Sequence, residues 1–228
     1  MTTIALNLQA VHERIQRAAA AANRAPDSVQ LLAVSKTFDA DAVEAAWQAG
    51  ARAFGENFVQ EALDKIAQLR HLAIEWHFIG PLQSNKTRAV AESFDWVHSV
   101  ERLKIAERLA AQRPAGLPPL NVCLQVNVSG EASKSGVAPA ELPALAAAVA
   151  VLAPGQLRLR GLMSIPEPTD DARQQRAAHG RLRALIGALH QQGLALDTLS
   201  MGMSADLEAA VAEGSTIVRV GTAVFGAR

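Results

Sequence analysis

Short apolar runs alternate with longer amphipathic stretches along most of the 228-residue chain, and this alternation limits the possible folds more than any other feature. Each run is rich in Val, Ile, Leu or an aromatic residue and precedes a polar or glycine-containing turn. The runs predict eight strands, at 31–35, 51–54, 75–79, 96–99, 122–126, 157–162, 196–200 and 217–220. The stretches between and after them predict helices at 40–49, 58–69, 86–93, 101–112, 140–152, 171–192 and 206–213.

This order of elements predicts one α/β barrel. Strands that alternate with helices form parallel sheets, and eight repeats favour a closed (β/α)8 TIM-type barrel over an open doubly wound sheet. Before the first strand, apolar residues recur at helical spacing from Ile4 to Ala18, so we expect an extra N-terminal helix that covers the core. The proline-rich stretch at 114–119 fits an ordinary loop, and residues 1–228 are therefore expected to form a single domain.

Composition excludes several classes of function. Lys plus Arg and Asp plus Glu balance at 22 each, which predicts no nucleic-acid partner and no anionic membrane surface. The longest apolar stretch, 144–153, is too short to cross a bilayer, and the N-terminus shows no apolar signal core. We therefore expect a cytoplasmic protein, and a monomer because no oligomerisation segment is evident. The single Cys123 lies in an apolar run and the six histidines show no zinc-motif spacing, so neither a metal site nor thiol catalysis is predicted.

The unusual residues collect where the predicted strands end, which is the end of such barrels that carries the chemistry. Lys36 follows the first strand, Asn57 the second, and Gly221 and Thr222 the last, while Ser200 ends the seventh. A lysine at the end of a buried strand is a candidate nucleophile toward carbonyl compounds, although taken alone it is more typical of a solvated strand end. Glycines beside hydroxyl residues allow backbone N–H groups to approach a phosphate, although the same residues populate ordinary turns.

Four other residues remain ambiguous at this level. Arg219 alternates with valines, so it either points into the barrel toward a ring nitrogen or an anion, or points outward toward a helix carboxylate. His77 lies in the third strand and is more typical of a hydrogen-bonded core histidine than of a catalyst. Glu56 and Asp206 are possible acid–base groups, but we expect Asp206 to be structural, in the first turn of a helix capped by Ser204.

Seven motifs, in order along the chain, closely resemble those of the YggS-like pyridoxal phosphate homeostasis proteins. The motifs are AVSKT at 33–37, FGEN at 54–57, WHFIGPLQSNK at 76–86, SKSG at 133–136, GLM at 161–163, SMGMSAD at 200–206 and RVGT at 219–222. That family is similar to the barrel domain of alanine racemase and binds pyridoxal 5′-phosphate through an internal aldimine. The resemblance implies an intracellular vitamin B6 protein that buffers or delivers the cofactor, with apoenzymes as possible recipients.

The resemblance also implies roles for individual residues. Lys36 corresponds to the aldimine lysine, and Arg219 to the partner of the pyridine nitrogen. Asn57 and His77 correspond to pocket residues. The implied phosphate ligands are Ser200, Gly221 and Thr222.

The absence of tyrosine separates this chain from the racemases. Alanine racemases use a lysine and a tyrosine on opposite faces of the cofactor, and an extra C-terminal domain supplies the tyrosine. Without that second base the sequence favours a non-enzymatic binding protein, with His77 as the one candidate base near the site. Two alternatives remain: a pyridoxal-phosphate-dependent amino acid racemase, and a Schiff-base aldolase acting on a sugar phosphate.

Overall fold

Eight parallel strands close into a barrel in the computed structural model, which describes residues 2–130, 135–152 and 155–226. The strands follow one another in chain order, and the eighth returns to pair with the first, which confirms the predicted fold. They are β1 Gln30–Val34, β2 Ala53–Glu56, β3 Glu75–Phe78, β4 Trp96–Val100, β5 Leu120–Gln125, β6 Leu157–Met163, β7 Thr198–Ser200 and β8 Ile217–Val220.

Helices surround this barrel, and one of them precedes the first strand as expected. They are α1 Thr3–Ala21, α2 Ala40–Gln48, α3 Val59–Gln68, α4 Thr87–Ser93, α5 Leu103–Gln112, α6 Leu142–Ala150, α7 Ala172–Gln191, α8 Leu207–Ala212 and α9 Thr222–Phe225. The sequence predicts neither α9 nor the 3-10 turn at Ser84–Lys86, because three or four residues are too few for a helical period to be seen. Within the described ranges, no helix is both long and apolar enough to cross a lipid bilayer.

The second strand begins two residues later than predicted. The N–H of Ala51 donates to the Ala46 carbonyl at 3.0 Å and so closes the end of α2, which keeps Ala51 out of the sheet. Pairing with β3 starts instead at Ala53 and continues to Glu56. The predicted end of this strand at residue 54 is therefore wrong by two residues, and Glu56, the last residue of β2, is fully buried.

Apolar side chains fill two separate layers of the molecule. The large layer lies between the strands and the helices that surround them. Two small clusters occupy the barrel interior, and they comprise Leu32, Val34, Ala53, Ile79 and Ile217, and Trp96, Cys123 and Met163. Burial raises the pKa of the Cys123 thiol to about 12, so this cysteine packs as an apolar residue.

The N-terminal helix covers the side of the barrel where the last two strands end. Arg14 of α1 donates from Nη1 to the Ser204 carbonyl at 2.7 Å and pairs with Glu208 of α8 through Nε at 2.6 Å. Asn7 donates to the Val224 carbonyl of α9 at 3.1 Å. The extra helix therefore holds the segments that follow β7 and β8 as well as covering the core.

Gly202 allows the chain to turn after β7. Its φ of +94° lies in the left-handed region, and a Cβ placed there would lie 2.5 Å from the Cβ of Ala210. The Gly202 carbonyl also accepts a hydrogen bond from the Arg219 N–H at 2.9 Å, which joins this turn to β8.

Gly202→Ala is therefore expected to lower the free energy of unfolding by about 2 kcal/mol or more, through backbone strain and overlap with Ala210. Gly187→Ala is a matched control, because Gly187 lies inside α7 and a Cβ there would meet no atom within 4 Å. That control should be neutral or stabilise by about 0.5–1 kcal/mol. Denaturant titration of both variants measures the difference, and equal stabilities would contradict this account of the turn.

Candidate functional site

A cavity of about 330 Å³ lies at the C-terminal end of the barrel strands. This volume is within the range of small-molecule sites. The residues that line it are Val34, Lys36, Asn57, Ile79, Ile165, Met203, Ser204, Ala205, Arg219, Gly221 and Thr222.

Five of the seven predicted site residues lie on the cavity wall: Lys36, Asn57, Arg219, Gly221 and Thr222. His77 and Ser200 are fully buried and lie deeper in the barrel, behind the wall. The hydroxyl of Ser200 contacts Arg219 and His98 rather than the cavity. Ser204, which the sequence suggested only as a helix cap, lies on the wall instead.

Lys36 reaches the cavity because of strand alternation. Leu32 and Val34 point into the barrel interior, and Lys36 continues the same face two residues beyond Val34. The other lysine near this position is Lys65 of α3, which is only 3% exposed. The Lys65 amine is bound to other groups, so among the described residues Lys36 is the lysine that lines the cavity.

The amine of Lys65 forms a buried cluster beneath the Lys36 segment. Its Nζ lies 2.6 Å from Glu56 Oε1, 2.8 Å from Glu61 Oε1 and 2.8 Å from the Ser35 carbonyl oxygen. The Ser35 hydroxyl donates to the same Glu56 oxygen at 2.6 Å. Burial raises the pKa of Glu56, and Lys65 and Ser35 oppose that rise. Glu56 is thus a structural partner of Lys65 and not a group on the cavity wall.

The residue after Lys36 has an unusual backbone conformation. Thr37 has a φ of +67°, in the left-handed region that a β-branched residue rarely adopts. Its N–H donates to Glu61 Oε1 at 2.5 Å, and Glu61 is itself held by Lys65. The Lys65 cluster therefore fixes the chain on both sides of Lys36.

The segments after β7 and β8 form one side of the cavity. Hydroxyl residues Ser204 and Thr222 lie beside Gly221, where a Cβ would lie only 3.2 Å from the Val34 carbonyl oxygen. Small residues here let main-chain N–H groups and hydroxyls approach an anion closely.

Asp206 holds this side of the cavity in place. It accepts a hydrogen bond from the Met203 N–H at 2.7 Å, and its other oxygen contacts Nε2 of the buried His179 at 2.8 Å. The structural role predicted for Asp206 is confirmed, but the predicted cap is wrong. Helix α8 begins at Leu207, so Asp206 rather than Ser204 occupies the N-cap position. Its carboxylate folds back onto Met203 and makes no capping hydrogen bond to the helix.

Arg219 points into the barrel, which decides between its two predicted orientations. Its Nη1 donates to the Ser200 carbonyl at 2.6 Å and to the Ser200 hydroxyl at 2.8 Å, and its Nη2 donates to the Ser164 carbonyl at 2.8 Å. Burial lowers the pKa of Arg219 to about 10, and the nearby Asp206 opposes that change. The guanidinium is therefore still cationic at neutral pH.

Two polar atoms near the cavity are buried but unpaired. Asn57 Oδ1 and Ser164 Oγ have no hydrogen-bond partner among the residues that the structure describes. Gly80 packs against the main chain of Asn57 so closely that a Cβ there would lie 2.2 Å from the Asn57 carbonyl oxygen, which fixes Asn57 in the wall. Buried polar atoms normally have partners, and because Asn57 lies on the cavity wall, its Oδ1 is suited to a polar ligand.

The charge distribution of the wall fits an anionic ligand that carries an electrophile. It combines an amine, a guanidinium and a small-residue turn with hydroxyls. Across the ranges 2–130, 135–152 and 155–226, no three His, Cys, Asp or Glu side chains come together as a metal site. Residues 133 and 134 of the predicted SKSG motif lie outside the described residues.

Comparison with known proteins identifies close relatives. The family model described as alanine racemase, N-terminal domain, matches residues 6–228. A pyridoxal phosphate homeostasis protein of Pseudomonas aeruginosa is 66% identical over 100% of this chain and 97% of its own length. The protein of that name in Escherichia coli K12 is 54% identical over 100% and 98%. The structure of PipY from Synechococcus elongatus, solved with PLP bound, is 42% identical with a TM-score of 0.84, covering 98% of this chain and 100% of PipY.

The Lys65 cluster generates a stability prediction. Lys65→Met leaves the Glu56 carboxylate buried without its cation, and the free energy of unfolding should fall by about 3–5 kcal/mol. Adding Glu56→Gln should recover part of that loss, because the buried charge is then gone. Lys104→Met, at an exposed position of α5, is the control and should change stability by less than about 0.5 kcal/mol. Denaturant titration checks all three, and a loss for Lys65→Met as small as that control would contradict the buried cluster.

Proposed function

The chain belongs to the family of pyridoxal phosphate homeostasis proteins, and on that premise we propose that it binds pyridoxal 5′-phosphate in the cavity. It holds the cofactor through Lys36 and buffers it or delivers it to apoenzymes, as a single-domain monomer. The proposal rests on one observation, that a single cavity is lined by an amine, a guanidinium and a turn of small and hydroxyl residues. These residues are Lys36, Arg219, Ser204, Gly221 and Thr222.

Each part of the wall matches one part of this cofactor. Pyridoxal 5′-phosphate supplies an aldehyde that condenses reversibly with a primary amine and releases one water. Lys36 is the amine placed to receive it. Ser204, Gly221 and Thr222 would bind the phosphate through hydroxyl and main-chain donors, and Arg219 would face the ring nitrogen as a fixed donor. Asn57, with its unpaired Oδ1, would contact a polar substituent of the ring.

The surroundings of His77 support binding rather than turnover. A racemase removes a proton on one face of the cofactor and returns it on the other, which requires two bases. The chain has no tyrosine, and both ring nitrogens of His77 are engaged, by His98 at 2.9 Å and by Glu75 at 2.7 Å. Among the described residues on the wall, Lys36 is then the one base, and proton exchange should be confined to one face.

Visible absorption spectroscopy tests which lysine forms the Schiff base. Protein loaded with pyridoxal 5′-phosphate should absorb visible light as a Schiff base, and Lys36→Ala should abolish that band. Lys86→Ala, which removes an exposed lysine outside the cavity, should leave the band unchanged. A Lys36→Ala protein that is still yellow would identify a different amine, such as Lys134. A colourless unmodified protein that traps a sugar phosphate would favour the aldolase instead.

The position of the phosphate is tested by comparing two ligands. Thr222→Ala should weaken pyridoxal 5′-phosphate by about 1–3 kcal/mol and unphosphorylated pyridoxal much less, because it removes a donor to the phosphate alone. Ser200→Ala should weaken both ligands alike, since its hydroxyl lies behind Arg219. Calorimetric titration measures both, and equal losses of the two ligands in Thr222→Ala would place the phosphate elsewhere.

The absence of a second base is tested by isotope exchange. Loaded protein incubated with L-alanine in deuterated water should yield little D-alanine, and any deuterium should be retained mainly in the L enantiomer. Chiral chromatography with mass spectrometry distinguishes these products. Racemisation within the enzymatic range of about 1–1,000 per second, abolished by His77→Ala, would establish a two-base racemase instead.

A further inference from the structure

A continuous chain of hydrogen bonds crosses the barrel interior below the cavity. Arg219 Nη1 lies 2.8 Å from Ser200 Oγ, which lies 2.8 Å from His98 Nδ1. His98 Nε2 lies 2.9 Å from His77 Nδ1, and His77 Nε2 lies 2.7 Å from Glu75 Oε1. Strand alternation places Glu75 and His77 on the inward face of β3 and His98 on that of β4, so the sequence itself sets this row of side chains.

The groups at the two ends of this hydrogen-bond chain, Arg219 and Glu75, determine the direction in which its hydrogen bonds run. The guanidinium of Arg219 can only donate, so Ser200 Oγ accepts at one end. The carboxylate of Glu75 can only accept, so His77 donates from Nε2 at the other. His77 Nδ1 then accepts from His98 Nε2–H, and His98 Nδ1 accepts from the Ser200 hydroxyl. With both imidazoles neutral, each hydrogen bond of the row then has one donor and one acceptor, and all of them run from Arg219 toward Glu75.

The surroundings favour that neutral state. Both histidines are fully buried, and burial lowers the pKa of each, that of His98 well below its ordinary value. The hydrogen bond from His77 lowers the pKa of Glu75 to about 2, so this carboxylate is ionised at neutral pH. The His77 ring stacks on Trp96 with centroids 5.3 Å apart and planes 5° apart, which fixes its orientation.

The hydrogen-bond chain connects the cavity to the opposite end of the barrel. The side chain of Glu75 is 42% exposed and lies in a depression of about 460 Å³ at the N-terminal end of the strands. Gln30 also donates to Glu75, at 3.2 Å. Arg219 lies on the wall of the cavity at the other end. A cation at one end is therefore linked to a carboxylate at the other through two neutral imidazoles.

We infer that Glu75, His77 and His98 are positioning residues, which fix the hydroxyl of Ser200 and so hold Arg219 as the hydrogen-bond donor that faces the cofactor ring. This role toward the cofactor rests on the proposed function, whereas the direction of the chain is a property of the protein alone. The two parts are tested separately.

The direction is tested on protein without cofactor. Nitrogen-15 NMR of the histidine rings should show both His77 and His98 as neutral Nε2–H tautomers. Glu75→Ala removes the terminal acceptor and should move the His98 Nδ1 signal toward the protonated type, although His98 does not touch Glu75. Glu75→Gln keeps an acceptor oxygen and should restore the single tautomer. Glu92→Ala removes an exposed glutamate of α4 and is the matched control that should change nothing.

The role toward the cofactor is tested on loaded protein. Glu75→Ala should shift the visible band and lower the affinity for pyridoxal 5′-phosphate by roughly 3- to 10-fold, the size of one hydrogen bond, while Glu75→Gln and Glu92→Ala should do neither. An unchanged His98 tautomer in Glu75→Ala would overturn the one-directional chain. A changed tautomer with an unchanged band and affinity would overturn the positioning role, yet leave the proposed function intact. Failure of the unmodified protein to bind pyridoxal 5′-phosphate would instead overturn the proposed function.

Discussion

The burial of Arg219 is the constraint on which the C-terminal end of the barrel depends. A guanidinium that is only 4% exposed must have its donors satisfied, and no carboxylate contacts it among the described residues. Its partners are instead the carbonyls of Ser164 and Ser200 and the Ser200 hydroxyl, so β6 and β7 must end where they present these oxygens. The polar row through His98 follows from the same need, because the Ser200 hydroxyl requires an acceptor of its own.

Two buried cations near the cavity, Lys65 and Arg219, have different roles. The Lys65 cluster is closed, with its amine bound to two carboxylates and a carbonyl, and it fixes the segment on either side of Lys36. Arg219 lines the cavity on one side, and no anionic side chain in the described part of the chain forms an ion pair with it. Under the proposed function, this open side of Arg219 would face the ring nitrogen of the cofactor, and the phosphate would lie against Ser204, Gly221 and Thr222. Among the described residues that line the cavity, Lys36 is the one that can act as a base, which is why the proposed function expects proton exchange on one face only.

Sequence patterns predicted the barrel because its strands and helices have clear periodicities, and the predicted strand ends carry five of the residues that line the cavity. Alternation along β8 set its bounds as observed, at Ile217–Val220, and put Lys36 two residues past Val34. Contacts between distant segments were not visible in the same way. The shift of β2 depends on a hydrogen bond to Ala46, and Ser200 lies behind the wall because its hydroxyl contacts Arg219 and His98. His98 was missed although it alternates with Trp96 on the fourth strand, a signal that marks it as inward-facing.

The central claim is that this cavity holds pyridoxal 5′-phosphate in one orientation, and a crystal structure of the loaded protein tests it most directly. The account predicts a covalent bond between the Lys36 Nζ and the aldehyde carbon, with the ring nitrogen facing Arg219. It also predicts the phosphate against Ser204, Gly221 and Thr222. A phosphate paired with Arg219, a bond to another lysine, or a cofactor bound in the depression beside Glu75 would contradict it.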